Sequence, residues 1–120
     1  MRSRTRSDRA ALAGVLDVAC VIAFVVAGRR SHDEGSGIGG VLEVAAPFLI
    51  ALAAGWLALR IWQRPLALAP AAGLWVVTVV LGLVLRRFVF DRGTAASFVI
   101  VATLVLGALL LGWRLVARRR

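Results

Sequence analysis

Four long apolar runs follow one another along the chain, separated by short segments that carry most of its charges. Each run approaches the roughly 20 residues that a helix needs to cross the hydrocarbon core of a bilayer. The pattern predicts an all-α, polytopic membrane protein whose four transmembrane helices form one bundle. The predicted helices cover residues of about 10–28, 41–59, 70–87 and 94–113.

Composition supports the same class. The 120 residues are 61% hydrophobic with a mean hydropathy of +0.89, whereas soluble domains are about 45–50% apolar. A chain this short and this apolar has too little polar surface to enclose a soluble core. We therefore expect lipid to cover its apolar faces. We expect a single transmembrane domain over residues 1–120.

The ends of the predicted helices carry further signals. The first run follows an arginine-rich tail, as in a signal peptide, but it exceeds the apolar segment of about 7–15 residues that such peptides contain. Since Val25-Val26-Ala27 is also a poor cleavage site, we predict a retained helix. Pro47 is expected in the second turn of its helix and Pro70 in the first turn, where a missing N–H costs little.

Two hairpins share short motifs. Arg29-Arg30 and Gly55-Trp56 recur, at one common spacing, as Arg86-Arg87 and Gly112-Trp113. Two hairpins in the same orientation, related by an axis along the membrane normal, would give this pattern. A biased composition would give it too, and both interpretations stay open.

The net charge of +9 comes from arginine, which supplies all fifteen basic residues. Their places at helix ends and in loops argue against nucleic acid and favour anionic lipid head groups as partners. One side of the predicted topology has the larger share: Arg2, Arg4, Arg6, Arg9, Arg60, Arg64, Arg114, Arg118, Arg119 and Arg120. The other side has Arg29, Arg30, Arg86, Arg87 and Arg92. The positive-inside rule therefore predicts a plasma-membrane protein with both termini in the cytoplasm.

Tryptophan and small residues suggest how the helices sit. Trp62, Trp75 and Trp113 are predicted near the cytoplasmic interface as half of an aromatic belt, with Trp56 deeper. Every helix also has small residues four apart, such as Thr78 with Gly82. Such residues allow transmembrane helices to approach closely.

Asp17 is the most informative polar residue, because it lies ~10 Å inside the first predicted helix at 1.5 Å per residue. An ionised carboxylate at such a depth usually faces the bundle interior or a water-filled cavity. One interpretation is an intramembrane ion or proton site. The other is a structural contact between helices, with Arg60 or Arg114 as the partner.

A second group of polar residues is predicted at the outer end. Arg29, Arg30, His32, Glu43 and Arg86 are candidates for an outer polar cluster. Glu43 has a simpler explanation as well, because a carboxylate is favourable in the first turn of a helix.

Motifs for chemistry are weak. His32, Asp33 and Glu34 are adjacent, but no second histidine and no cysteine pair completes a zinc site, so we expect no metal and no cofactor. Cys20 is the single cysteine and is expected to be buried as a small hydrophobe. Without a nucleophile elbow or phosphate loop, no enzymatic activity is predicted.

The chain resembles a family of small four-span integral membrane proteins, common in actinobacteria and known only as a domain of unknown function. Four segments carry the resemblance: Asp17 through Gly28-Arg29-Arg30-Ser31-His32; Pro47-Phe48 with Gly55-Trp56; Trp75, Thr78, Gly82 and Arg86; and Phe98-Val99 through Gly112-Trp113-Arg114. The resemblance covers nearly the whole chain and implies a polytopic plasma-membrane protein. It supplies no activity, substrate or cofactor, and it marks Asp17, Arg29 and His32 for testing.

Two functional hypotheses follow. The first is a non-catalytic structural, partner-binding or regulatory component of the membrane. The second is a small proton- or cation-coupled transporter or channel subunit that uses Asp17. Four short helices enclose little volume, so transport would require a homo-oligomer.

Overall fold

The computed structural model describes residues 6–31, 38–89 and 96–119, and these residues form an all-α bundle. The four long helices are α1 (Arg6–Ser31), α2 (Ile38–Leu59), α3 (Leu68–Phe88) and α4 (Ala96–Arg118). Each is long and apolar enough to cross a membrane, and together they form one body of 47 × 26 × 22 Å. The predicted fold class is confirmed, and the chain is a multi-pass membrane protein.

The helices extend beyond the apolar runs, because arginine is a good helix former and continues a helix outside the apolar core. α1 therefore begins at Arg6, and α4 continues to Arg118. The early start of α2 at Ile38 corrects two expectations. Pro47 lies in the interior of α2 and not in its second turn, and Glu43 lies beyond its first turn. Transmembrane helices tolerate such prolines where neighbouring groups satisfy the freed carbonyl.

The most extensive packing joins α2 to α3, and among the helix pairs that are neighbours around the bundle α1 and α4 make the smallest contact. At the α2–α3 contact, Phe48 lies directly on Gly82, where a Cβ atom would overlap its ring. Gly55 receives Leu74 in the same way, at 2.7 Å from the position of an added Cβ. Glycine thus allows large side chains of one helix to reach the backbone of the next, the packing mode expected in lipid.

The contact between α3 and α4 depends on Trp75. Its indole covers Gly107, where an added Cβ would lie 2.7 Å from the ring, and its Nε1 donates to the Thr103 carbonyl at 2.9 Å. Thr103 in turn donates from Oγ1 to the Val99 carbonyl at 2.7 Å. The indole of Trp75 is therefore engaged between two helices, and its predicted depth near the membrane interface stays a prediction.

At the opposite end from the α2–α3 connection, three aromatic rings fill the core. Phe24, Phe48 and Phe98 come from α1, α2 and α4, with ring centroids 5.7 to 6.0 Å apart. We call these three residues the phenylalanine cluster.

A tight reversal joins α2 to α3. Arg60 takes the left-handed conformation, with φ 52° and ψ 49°, and a 3-10 turn covers Ile61–Gln63. Ile61 and Pro65 are buried there. The start of α1, this connection and the end of α4 meet at one end of the bundle, which we call the α2–α3 end.

Outward-facing positions carry large apolar side chains, as a surface in contact with lipid requires. The most exposed within the helices are Phe88, Leu57, Val15, Leu104, Val116, Ile100 and Val80.

Candidate functional site

Asp17 is fully buried in the bundle and is the only carboxylate so placed among the described residues. It lies on the inward face of α1 with Ala13, Val21 and Phe24, which are also buried. Residues three, four and seven apart share one helix face, so the packing that turns these apolar residues inward turns Asp17 inward with them.

Each of the two oxygens of the Asp17 carboxylate accepts two hydrogen bonds. Oδ1 accepts from Trp113 Nε1 at 2.8 Å and from Arg114 Nη1 at 2.8 Å. Oδ2 accepts from Trp56 Nε1 at 2.9 Å and from Arg114 Nη2 at 2.7 Å. We call Asp17, Trp56, Trp113 and Arg114 the Asp17 cluster. It connects α1, α2 and α4.

Arg114 is the ionic partner of Asp17, and its side chain is also fully buried. Its two terminal nitrogens bind the carboxylate side by side, the bidentate geometry that gives the strongest charge-assisted bonds. Its Nε donates to the Pro65 carbonyl at 2.7 Å, and its Nη1 also donates to the Leu110 carbonyl at 3.0 Å. Of the two arginines offered as partners by the sequence, Arg60 is exposed on the surface instead.

The two indoles of the cluster reach Asp17 from different helices. Trp56 lies against Gly14 of α1, and the ring of Trp113 lies 4.5 Å from the Arg114 guanidinium carbon. The N–H of Trp113 is directed at a buried carboxylate and not at lipid head groups, and its predicted depth near the membrane interface stays a prediction. Trp62 keeps an exposed position at the α2–α3 end.

The arrangement is electrically balanced and saturated. One carboxylate and one guanidinium cancel in charge, and the four bonds use the roughly four acceptor sites of a carboxylate. A proton or a cation would have to displace one of these donors to bind. Removing either ion alone would leave an uncompensated charge in a low-dielectric environment, which is strongly unfavourable.

The outer polar cluster is described only in part. The guanidinium of Arg86 lies 4.1 Å from the centroid of the Phe98 ring, and Glu43 is exposed on α2. His32 and the side chains of Arg29 and Arg30 lie outside the described residues. That cluster stays a prediction.

The remaining chemical candidates have simple outcomes. Cys20 is buried, as predicted. Within the described ranges no group of three or more potential metal ligands comes together. Asp33 and Glu34, like His32, lie outside those ranges.

Sequence reasoning missed that both tryptophans bind Asp17. One sequence pattern points to it: Gly55-Trp56 recurs as Gly112-Trp113. A repeat or a biased composition explains this recurrence equally well. Tryptophan carries one N–H donor that needs a partner when buried. Two donors near the same end of the bundle as one buried acceptor point to a shared site.

A cleft of about 780 Å³ opens beside the Asp17 cluster, between α1 and α4. Leu12, Leu16 and Val116 supply apolar walls, and the lining also includes Arg9 and Trp113, whose N–H binds Asp17. Among neighbouring helices of the bundle, α1 and α4 are the pair with the smallest contact.

Comparison with known proteins gives one match. The family described as "Protein of unknown function (DUF3054)" matches residues 14–117, which include the whole Asp17 cluster. No curated protein and no solved structure is significantly similar to the chain.

Proposed function

The chain belongs to this family of unknown function, and from that premise we propose that it is a non-catalytic component of the plasma membrane, with a structural, partner-binding or regulatory role. In this proposal Asp17 joins helices and carries neither ions nor protons. The observation behind it is the saturated carboxylate, which accepts four bonds from three donor residues.

The arrangement of Arg114 supports a structural role for Asp17. A transport carboxylate must exchange its ligand during each cycle, whereas this guanidinium is also bonded to the Pro65 and Leu110 carbonyls. Its release would disturb α4 and the α2–α3 connection together. The buried polar groups of the cluster are thus all engaged in contacts between helices, and the proposal includes no enzymatic reaction.

We further propose that the α2–α3 end faces the cytoplasm and contacts anionic lipid head groups. Arg9, Arg64 and Arg118 are exposed at that end, and Arg118 donates to the Leu66 carbonyl at 3.4 Å, which places the end of α4 beside the connection. Clustered arginines at one end are favoured on the cytoplasmic side.

Thiol labelling tests whether water reaches Asp17. Cys20 follows Asp17 by one helical turn on nearly the same face, so a small water-soluble thiol reagent applied to intact membranes reports on that face. We expect protection in the native protein and full labelling after denaturation. In a Cys20→Ala background, Gln63→Cys at the exposed connection is the control that should label with a membrane-impermeant reagent in inverted vesicles, where the cytoplasmic face is accessible. Its labelling in inverted vesicles but not in intact spheroplasts would support the proposed orientation.

A second candidate function is a proton- or cation-coupled transporter, assembled as a homo-oligomer. The cleft favours it, because Trp113 contributes both to the cleft wall and to the binding of Asp17. A ligand bound in the cleft would then influence the Asp17 carboxylate through the indole of Trp113.

Flux measurements separate the two functions. Purified protein in proteoliposomes would be tested for proton flux and for transport of a panel of cations and hydrophobic cations. Asp17→Asn is compared with Asp8→Asn, the same change at an exposed carboxylate. We expect no flux that depends on Asp17. Flux that is retained in Asp8→Asn but lost in Asp17→Asn, and lost also in the charge-balanced Asp17→Asn/Arg114→Gln protein when it is folded, would overturn the proposal and establish the transporter.

A further inference from the structure

We propose that the cleft between α1 and α4 is a binding site for one anionic phospholipid, with an acyl chain in the cleft and the phosphate at Arg9 and Arg118. This site is more specific than a general attraction of head groups to the arginine-rich end. It does not depend on whether Asp17 is structural or functional.

The shape and lining of the cleft fit an acyl chain. Its volume of about 780 Å³ falls within the ~300–1,000 Å³ that is usual for small-molecule sites. Leu12, Ala13 and Leu16 of α1 line it together with Val116 and Ala117 of α4, and Ala13 is buried. Because the cleft is open to the side, an acyl chain can lie along it and contact its apolar walls.

The cleft opens sideways, towards lipid. Leu12 is 46% exposed and Val116 is 61% exposed, and both belong to helices that can cross the membrane. A molecule can therefore enter from the bilayer without passing through water. This access favours a membrane lipid over a soluble ligand as the occupant.

Charge selects among lipids. Arg9 lies at the cleft itself, and Arg118 binds the carbonyl of Leu66, another lining residue. Two guanidinium groups next to an apolar slot complement a phosphate attached to an acyl chain, since guanidinium presents a fork of donors to phosphate oxygens. Zwitterionic lipids would fill the same slot with less electrostatic attraction.

The test uses native mass spectrometry of the full chain in detergent, titrated with phosphatidylglycerol or with phosphatidylcholine of the same acyl chains. We expect one phosphatidylglycerol to bind more tightly than phosphatidylcholine. Ala117→Trp should fill the slot and weaken binding by at least about tenfold, because several methylenes lose their burial. Ala108→Trp, at an exposed position of α4 outside the cleft, is the matched control and should bind as the natural protein does.

The head-group contacts are tested separately. Arg9→Gln with Arg118→Gln should reduce phosphatidylglycerol affinity by about five-fold per arginine and leave phosphatidylcholine affinity unchanged. Arg64→Gln with Arg119→Gln removes the same charge at exposed positions of the same end and should retain the preference. Equal losses in the two double variants would overturn the assignment of the phosphate to Arg9 and Arg118.

A measurement on an unaltered cleft covers the case in which Ala117→Trp fails to fold. In Trp56→Phe/Trp62→Phe/Trp75→Phe protein, Trp113 is the single remaining tryptophan, and brominated acyl chains quench it if they occupy the cleft. Brominated phosphatidylglycerol in excess unlabelled phosphatidylcholine should quench more than brominated phosphatidylcholine in excess unlabelled phosphatidylglycerol. Equal quenching in the two mixtures would contradict the proposal.

Two other occupants would overturn it. Oleate that binds as tightly as phosphatidylglycerol and is lost in Ala117→Trp would identify a free fatty acid. A protein that is dimeric in its natural form and monomeric as Ala117→Trp would identify the cleft as an interface between copies.

Discussion

The two ends of the bundle are held together by different forces. At the α2–α3 end, the Asp17 cluster joins three helices through an ion pair and two indole bonds. At the opposite end, the phenylalanine cluster joins helices by ring contacts and by the fit of Phe48 on Gly82. In lipid, apolar surfaces gain little by leaving their solvent, so directional bonds and close fit must supply the association. The buried ion pair and its indole bonds belong to the α2–α3 end, whereas the opposite end relies on ring contacts and close fit.

The comparison predicts that unbalancing the charge of the Asp17 cluster has the largest effect. Arg114→Gln leaves Asp17 buried without its counter-ion, and we expect the free energy of unfolding to fall by about 3–5 kcal/mol. The double variant Asp17→Asn/Arg114→Gln removes both charges and should recover a large part of that loss. Equilibrium unfolding in mixed detergent measures both, with the exposed Arg64→Gln as control. A double variant that is less stable than Arg114→Gln alone would show that unbalanced charge is not the main cause of the loss of stability.

Disturbing the fit at the opposite end should have the next largest effect. Gly82→Ala places a methyl group where the Phe48 ring lies, and overpacking of this kind costs about 1–3 kcal/mol. Gly112→Ala is the matched control, because an added Cβ there meets nothing within 4 Å. The control should be neutral or slightly stabilising, since alanine is the better helix former. If both variants unfold alike, close fit at Gly82 does not matter.

The hydrogen bonds from Trp56 and Trp113 to Asp17 should each contribute to the stability of the α2–α3 end. Trp56→Phe and Trp113→Phe each remove one bond to Asp17 and keep most of the apolar surface, so each should cost about 1 kcal/mol. The double variant should depart from additivity, because the two donors share one carboxylate. Trp62→Phe, at an exposed position, should leave the unfolding curve unchanged. An equal effect at Trp62 would contradict a special role for the buried indoles.

The smallest predicted effect concerns Arg86. Its guanidinium lies over the Phe98 ring, a contact worth about 0.5–1 kcal/mol at partly exposed sites. Arg86→Gln should lose that amount, whereas Arg87→Gln, at the exposed neighbouring position, should lose less. The difference is measured by the same unfolding assay. A larger loss for Arg87→Gln would assign the stabilising cation to the other arginine.

Much of the fold was predictable because each helix is defined by its own residues. The apolar runs located all four helices to within a few residues, and the errors lay at the ends, where Arg6 and Arg118 extend helices that hydrophobicity alone would stop. The early start of α2 then displaced Glu43 and Pro47 from the turns predicted for them. A helix end depends on capping and on local contacts, which hydropathy does not report.

The candidate site was predictable only in its central residue. Asp17 is exceptional in any apolar run, and Arg114 was one of two partners considered. Trp75 and Trp113 are predicted near the membrane interface, with Trp56 deeper, because tryptophan prefers the interface on average. Which way Trp56, Trp75 and Trp113 point depends on the rotation of α2, α3 and α4 about their axes, and this rotation is set by contacts between residues far apart in sequence.

By itself the sequence determined that the chain crosses a membrane, how many helices it uses and which carboxylate must be accommodated. These properties follow from the free energy of transferring consecutive side chains from water into lipid, which is a sum over neighbouring residues of the chain. Only the tertiary structure decided that Arg114, Trp56 and Trp113 meet on Asp17 and that a cleft remains between α1 and α4. Those features arise from the mutual rotation and spacing of packed helices, where glycines such as Gly82 and Gly107 fix how closely two backbones and their large side chains can fit.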